Sequence, residues 1–320
     1  LNPAGAPFSV RPEARDVSAD NHGVLVYSDV RGVATQLVWR DRSGERLATV
    51  GEPTGSRVAH LDLAPDDSAA LVVDACQIWL QDTARPVAQV LSTVPGGLIP
   101  AFSGAADRIV YGRGGETYLR STASIDDSEK LCTGVPHDWS SDGRYVSVLR
   151  FNDSGGRDIL YVEAGAGQRE PVLFHTSRFL LQDAKFSPDG RYLAYLSPET
   201  GRLELYVVKF PEGGRSSRVS ENGARQPRWR RDSKELFYLE DQTLIAARVS
   251  TQPTFAVRSV SRLFDSPAFG MNDANGYDVS ADGQRFLIPE PLQQAGTGQP
   301  IIRIVENWYE EFRNRGQDTD

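Results

Sequence analysis

Apolar residues in this chain come in short runs, separated by polar turns, and the runs return in a fixed order. Seven of them form one series: Val24-Leu25-Val26-Tyr27, Ala70-Leu71-Val72-Val73, Ile109-Val110-Tyr111, Tyr145-Val146-Ser147-Val148, Tyr192-Leu193-Ala194-Tyr195, Leu236-Phe237-Tyr238-Leu239 and Phe286-Leu287-Ile288. Each follows the same phrase, a hydrophobic residue, Ser or a stand-in, any residue, then Asp-Gly or a relative. The phrase is clearest at Trp139-Ser140-Ser141-Asp142-Gly143, Phe186-Ser187-Pro188-Asp189-Gly190 and Val279-Ser280-Ala281-Asp282-Gly283. Weaker copies begin at Val17, Leu63, Phe102 and Trp229. Asp-Gly favours a tight turn, because Gly accepts positive φ and Asp bonds nearby backbone groups. A second apolar run follows in each unit, as at Gln36-Leu37-Val38-Trp39 or Leu205-Tyr206-Val207-Val208, and six units add a shorter third.

Counting the stretch before the turn, each unit holds four short strands. Repetition every ~40 to 50 residues signals a repeat architecture. Four-stranded units repeated radially describe a β-propeller, all-β, with antiparallel blades. The pattern predicts seven blades, over 14–53, 57–95, 97–134, 135–178, 179–222, 223–267 and 268–307, with six as the alternative. Pro7 to Val10 is expected to add a closing strand to the last blade and latch the ring, hiding an exposed edge. One short helix is expected around Trp308 to Phe312. Because blades bury their faces only against neighbours, the whole of 1–320 reads as one domain. The 29 Gly and 19 Pro fit a turn-rich chain with few long helices.

The stretch Phe186 to Tyr195 resembles the repeat of TolB-type propellers, the WD-like units of bacterial periplasmic proteins. Four further segments resemble the C-terminal propeller of bacterial membrane-bound serine/threonine protein kinases: Gln36 to Gly44, Gln226 to Asp232, Tyr277 to Phe286, and Glu306-Asn307-Trp308. The second and third units depart from the pattern, since Ala64-Pro65-Asp66-Asp67 and Phe102-Ser103-Gly104-Ala105-Ala106 lack Asp-Gly. The kinase resemblance implies an extracytoplasmic sensor or binding domain, bacterial, with its partner an unknown small ligand, peptide or envelope protein. A periplasmic TolB-type interaction module is the second reading, and an enzyme using the channel mouth the third. The chain itself reads as non-catalytic: it carries no kinase loop and no Gly-x-Ser-x-Gly elbow.

Alternation along the inner strands selects the candidate site. The residue before each apolar anchor should face the central channel. Round the ring these are Asp16, Asp62, Ala101, Asp138, Lys185, Arg228 and Asp278, with Arg15, His137, Gln226 and Tyr277 as neighbours. One reading makes them ion pairs, Lys185 and Arg228 bridging Asp138 and Asp278. The other makes Asp16, Asp62, His137, Asp138, Lys185, Arg228, Tyr277 and Asp278 a polar ligand site. The turn residues Asp142, Asp189 and Asp282 are explained by local backbone bonding.

No cofactor or metal motif is present. His22, His60, His137 and His175 lack ligand spacing, and Asn152 to Asp158 lacks the acidic ladder of a calcium loop. Net charge is −8, with no concentrated basic surface, which disfavours nucleic acid. No apolar run is long enough to span a membrane. Cys76 and Cys132 are expected as reduced thiols, a disulfide being the alternative in an oxidising compartment.

Overall fold

The structure is a computed structural model that describes residues 14–19, 24–29, 34–74, 77–92, 98–123, 128–165, 167–270, 276–292 and 301–306. These form two compact units. The smaller holds a three-stranded antiparallel sheet of β1 (Ala14–Ala19), β2 (Val24–Asp29) and β27 (Ile301–Glu306), in which β2 is central.

The larger unit, Thr35–Pro291, is a six-bladed propeller of four-stranded antiparallel sheets. Blade I comprises β5 (Val58–Leu63), β6 (Ala69–Asp74), β7 (Gln77–Asp82) and β8 (Ala88–Ser92). Blade II comprises β9 (Leu98–Phe102), β10 (Arg108–Arg113), β11 (Glu116–Ser121) and β12 (Ser128–Thr133). Blade III comprises β13 (Val135–Trp139), β14 (Tyr145–Phe151), β15 (Arg157–Glu163) and β16 (Val172–His175). Blade IV comprises β17 (Gln182–Phe186), β18 (Tyr192–Ser197), β19 (Glu204–Lys209) and β20 (Ser217–Arg218). Blade V comprises β21 (Arg225–Trp229), β22 (Glu235–Glu240), β23 (Thr243–Ser250) and β24 (Ala256–Asp265). Blade VI joins the two ends of the unit: β25 (Asp278–Val279) and β26 (Arg285–Pro291) pair onward with β3 (Thr35–Asp41) and β4 (Arg46–Thr54).

The expectation of seven blades is therefore corrected to six. The repeat unit over 14–53 does not make a blade. Its first two strands pair with β27, while its last two become the outer half of blade VI, Phe286 to Pro291 running antiparallel to Arg40 to Thr35. The physical reason is that strand pairing is non-local: an apolar run specifies a pleated, half-buried strand but not its neighbour. Closure of the six-bladed ring comes from β3 and β4, the third and fourth strands of blade VI. Pro7 to Val10 and Trp308 to Phe312 lie outside the described residues.

Burial follows the ring. Six clusters of buried apolar residues lie one at each blade junction, including Leu37, Trp39 and Val50 of blade VI against Val58, Leu61 and Val72 of blade I. Central strands are covered on both faces; every residue of β18 is buried. The closure has an ionic pin as well. Arg42, in the β3–β4 turn, places both terminal nitrogens 3.1 Å from the carboxylate of buried Glu235 in blade V. A bidentate guanidinium–carboxylate pair of this kind is among the stronger polar contacts.

The recurring phrase is the first turn of each blade. In blade III the Ser140 hydroxyl donates to Asp142 Oδ1 (2.6 Å) and accepts from the Tyr145 amide (2.9 Å), while Asp142 Oδ1 also accepts from the Arg144 amide (3.0 Å). Blades IV and VI repeat this with Ser187 and Asp189, and with Ser280 and Asp282. Gly143, Gly190 and Gly283 close these turns at φ of 74°, 70° and 70°. The departures keep the same conformation: Asp67, Ala106 and Ser233 stand at the Gly position with φ of 62°, 57° and 62°.

Candidate functional site

Six inner strands bring six residues to equivalent points of one channel: Asp62, Ala101, Asp138, Lys185, Arg228 and Asp278. Five of these, all but Ala101, line a cavity of about 130 Å³ at the end of the channel where the first turns lie. Around them stand the anchors Leu63, Phe102, Trp139, Phe186, Trp229 and Val279, each retaining only 4% to 9% exposure, so that their edges reach the cavity. Asp67, Ser141, Pro188 and Arg231 add the rim.

The carboxylates have structural work to do. Asp62 Oδ2 accepts the amide of Phe102 in blade II at 2.9 Å. Asp138 Oδ2 accepts the amide of Phe186 in blade IV at 2.8 Å. Asp278 Oδ2 accepts the amide of Leu63 in blade I at 2.6 Å, and its Oδ1 accepts the Val279 amide at 2.8 Å. Each aspartate thus fastens its inner strand to the anchor of the next blade. Between blades IV and V a side-chain bond runs the other way, Trp229 Nε1 donating to the Lys185 carbonyl at 3.2 Å.

Both expected ion pairs are present. Arg228 Nε lies 3.2 Å from Asp278 Oδ1, with side chains 6% and 10% exposed. Lys185 Nζ lies 3.6 Å from Asp138 Oδ1 and donates to the His137 carbonyl at 2.6 Å. Asp62 has no ion-pair partner among the described residues. Its carboxyl is pushed up to about 7, first by burial, which Lys185 opposes and Asp278 and Asp138 reinforce. Burial raises Asp138 too, against the pull of Lys185.

Behind this ring the channel holds histidines. His137 Nδ1 is 3.8 Å from Asp183 Oδ1, too long for a hydrogen bond. Burial keeps both His60 and His137 below the ordinary imidazole range. Asp183 is held below the ordinary carboxylate range although burial alone would raise it, because His137, Arg228 and Lys185 surround it.

Of the eight residues selected from sequence, Asp62, Asp138, Lys185, Arg228 and Asp278 converge on the cavity. His137 sits behind it. Tyr277 is fully buried in the junction of blades V and VI, its hydroxyl donating to the Gln226 carbonyl at 3.0 Å, and it does not line the cavity. The side chain of Asp16 lies outside the described residues. Sequence alternation missed Asp183, because a bulge between Gln182 and Ala184 breaks the period of two and leaves Asp183 at φ 45°. Asp67 and Arg231 on the rim were missed as well, because they stand in the turns rather than on the strands.

Among the described residues no group of His, Cys, Asp and Glu could hold a metal ion, and no helix is long and apolar enough to cross a membrane. Cys132 is a buried free thiol; Cys76 lies outside the described residues.

Comparison with known proteins places the fold. No family model matches the chain. A 103-residue stretch is 32% identical to the Tol-Pal system protein TolB of Pseudomonas aeruginosa, covering 31% of this chain and 23% of that protein. A 120-residue match is 32% identical to a dipeptidyl-aminopeptidase B of Aspergillus oryzae, covering 29% of this chain and 13% of the enzyme. The matched stretches therefore span less than a quarter of these relatives. Among solved structures, an Agrobacterium tumefaciens protein described as TolB superposes with a TM-score of 0.64 at 15% identity, over 82% of this chain and 99% of its own. The fold is a TolB-type β-propeller.

Proposed function

We propose that this chain is a non-catalytic protein-interaction module, extracytoplasmic in location, which receives a segment of a partner protein at the channel mouth. The observation that carries this reading is the cavity itself, where five charged side chains from five blades and the edges of six apolar anchors open onto one rim. Such a mixture gives a peptide both polar registration and apolar contact. The local match to a Tol-Pal system protein supports a protein partner of the bacterial envelope over a small metabolite. The same match favours the interaction module over a kinase sensor, which rests on its four sequence segments alone. Asp62, Asp138, Lys185, Arg228 and Asp278 are the residues assigned to the contact.

Site-specific photo-crosslinking tests the placement. A crosslinking residue at Ser141 or Pro188, on the rim, should capture discrete envelope proteins, whereas one at Arg258, exposed on β24, should not. Equal capture at both positions, or capture at Arg258 alone, rejects the mouth as the binding surface.

A further inference from the structure

A second cleft, unrelated to the channel, lies between β3 and β4 of blade VI and β6 to β8 of blade I. It measures about 240 Å³, larger than the ~150 Å³ cavity that suffices to hold benzene in an engineered core. Leu37, Val72 and Trp79 give it apolar walls. The side-chain nitrogen of Gln81, which also lines it, is committed to the carbonyls of Asp82, Arg85 and Val87 at 2.8 to 3.2 Å.

Asp74, the last residue of β6, also lines the cleft. Its Oδ1 is covered from solvent and has no hydrogen-bond partner, and the carboxylate makes no ion pair among the described residues. Burial pushes this carboxyl upward, and no ion pair among the described residues offsets it. Glu52 stands in the lining as a second acid, while no Lys or Arg lines the cleft. Asp74 is half-buried, and a carboxylate with one oxygen covered and unpaired is favoured by a cation that meets it. The channel acids Asp138 and Asp278 differ in this respect, since each has a cation from its own chain.

We propose that this cleft binds a small organic ammonium compound with an apolar body, the cation on Asp74 and the body against Trp79. The ammonium supplies the counter-charge that Asp74 lacks, and the Trp79 indole adds a cation–π attraction. The site is independent of the channel mouth, so its failure leaves the protein-interaction reading untouched.

The probe is 2-phenylethylamine, with 2-phenylethanol as the uncharged match of the same size, followed by tryptophan fluorescence and by calorimetry. The amine is expected to bind saturably and the alcohol roughly tenfold or more weaker. Asp74→Asn should weaken the amine roughly tenfold or more without changing the alcohol. Trp79→Phe, which keeps an aromatic wall, should remove most of the fluorescence change. Equal affinity for amine and alcohol, an unchanged affinity in D74N, or no saturable binding up to about 10 mM overturns the proposal. Should D74N fail to fold, the amine-against-alcohol comparison on the unaltered chain decides alone.

Discussion

At the junction of blades VI and I, Asp278 accepts the Leu63 amide; at the junction of blades I and II, Asp62 accepts the Phe102 amide in the same way. The hydrogen bonds match, but the electrostatics do not. Asp278 faces the Arg228 guanidinium at 3.2 Å, whereas Asp62 makes no ion pair among the described residues and its carboxyl is driven up to about 7 despite the pull of Lys185. One motif position therefore serves two ends. At Asp278 the charge is a structural partner, and at Asp62 it is a liability borne for the sake of an acceptor. On the reading proposed above, a carboxyl at the channel mouth that keeps its proton up to about pH 7 and makes no ion pair among the described residues can ionise to meet a cation brought by a partner.

Conservative substitution separates the two junctions. Asp278→Asn should be the most damaging change, costing about 3–5 kcal/mol, because it leaves a buried guanidinium unpaired. An amide also has only one acceptor oxygen, while Asp278 uses both of its own for Leu63 and Val279. Asp62→Asn should act with the opposite sign near neutrality, since Asn retains an oxygen for the Phe102 amide and removes the uncompensated charge. Denaturant titration of both variants at pH 8 measures this. A loss in D62N comparable to that in D278N would show the two aspartates to be equivalent.

The pH dependence sharpens the same contrast. The folded-state value of Asp62, about 7, lies above the ordinary aspartate value of about 3.9 that it takes in the unfolded chain. The folded state therefore holds the extra proton between these limits, and stability falls as pH rises from about 4 to about 7. D62N should lack this component, so its melting temperature should separate upward from that of the unaltered chain across that window. Parallel curves from pH 4 to pH 8 would remove the special status given to Asp62.

The turns carry a smaller version of the comparison. Gly143 and Gly283 have nearly the same φ, 74° and 70°, but different surroundings. A Cβ at Gly143 would meet nothing within 4 Å; at Gly283 it would stand 2.4 Å from Arg230 Cδ. Gly143→Ala should therefore cost only the left-handed backbone strain, about 1–2 kcal/mol. Gly283→Ala should cost more, because Arg230 must also move from the position where it binds Asp232 and Glu235. Equal losses for the two would indicate that Arg230 relaxes freely.

Much of this was legible in the sequence, for a local reason. The hydrogen bonds of the Ser-x-Asp-Gly turn fall within six residues, so the residues that make them stand together in the chain. The phrase consequently located the inner strands and, by counting back one residue, the five charged side chains of the cavity. Blade number was not legible, because Gln36 to Trp39 carries the same pattern whether it pairs with the Val24 run or with the Phe286 run. Nor was the use of the irregular turns. Asp67 and Ser233 read as decayed copies of Gly, yet Asp67 Oδ1 accepts the Ala281 amide at 2.9 Å and Ser233 Oγ accepts the Asp189 amide at 3.0 Å. Both bonds join neighbouring blades, and a sequence read one unit at a time contains no sign of them.

Ala106 occupies the same left-handed position as Asp67 and Ser233 but has no polar group with which to bridge blades. Its methyl packs at the edge of the apolar cluster between blades I and II and offsets only part of the backbone strain, so Ala106→Gly should stabilise the fold slightly, by about 0.5 kcal/mol once the added freedom of the unfolded chain is subtracted. Ser233→Gly relieves the same strain and loses the acceptor for the Asp189 amide, which is worth about 0.5–1.5 kcal/mol, so it should be neutral or destabilising. The two melting temperatures measured side by side, expected to differ by roughly 2–4 °C, compare conformation with connection at one position of the repeat. If both variants gained equally, the Ser233 bridge would contribute nothing, and the irregular turns would be worn copies after all.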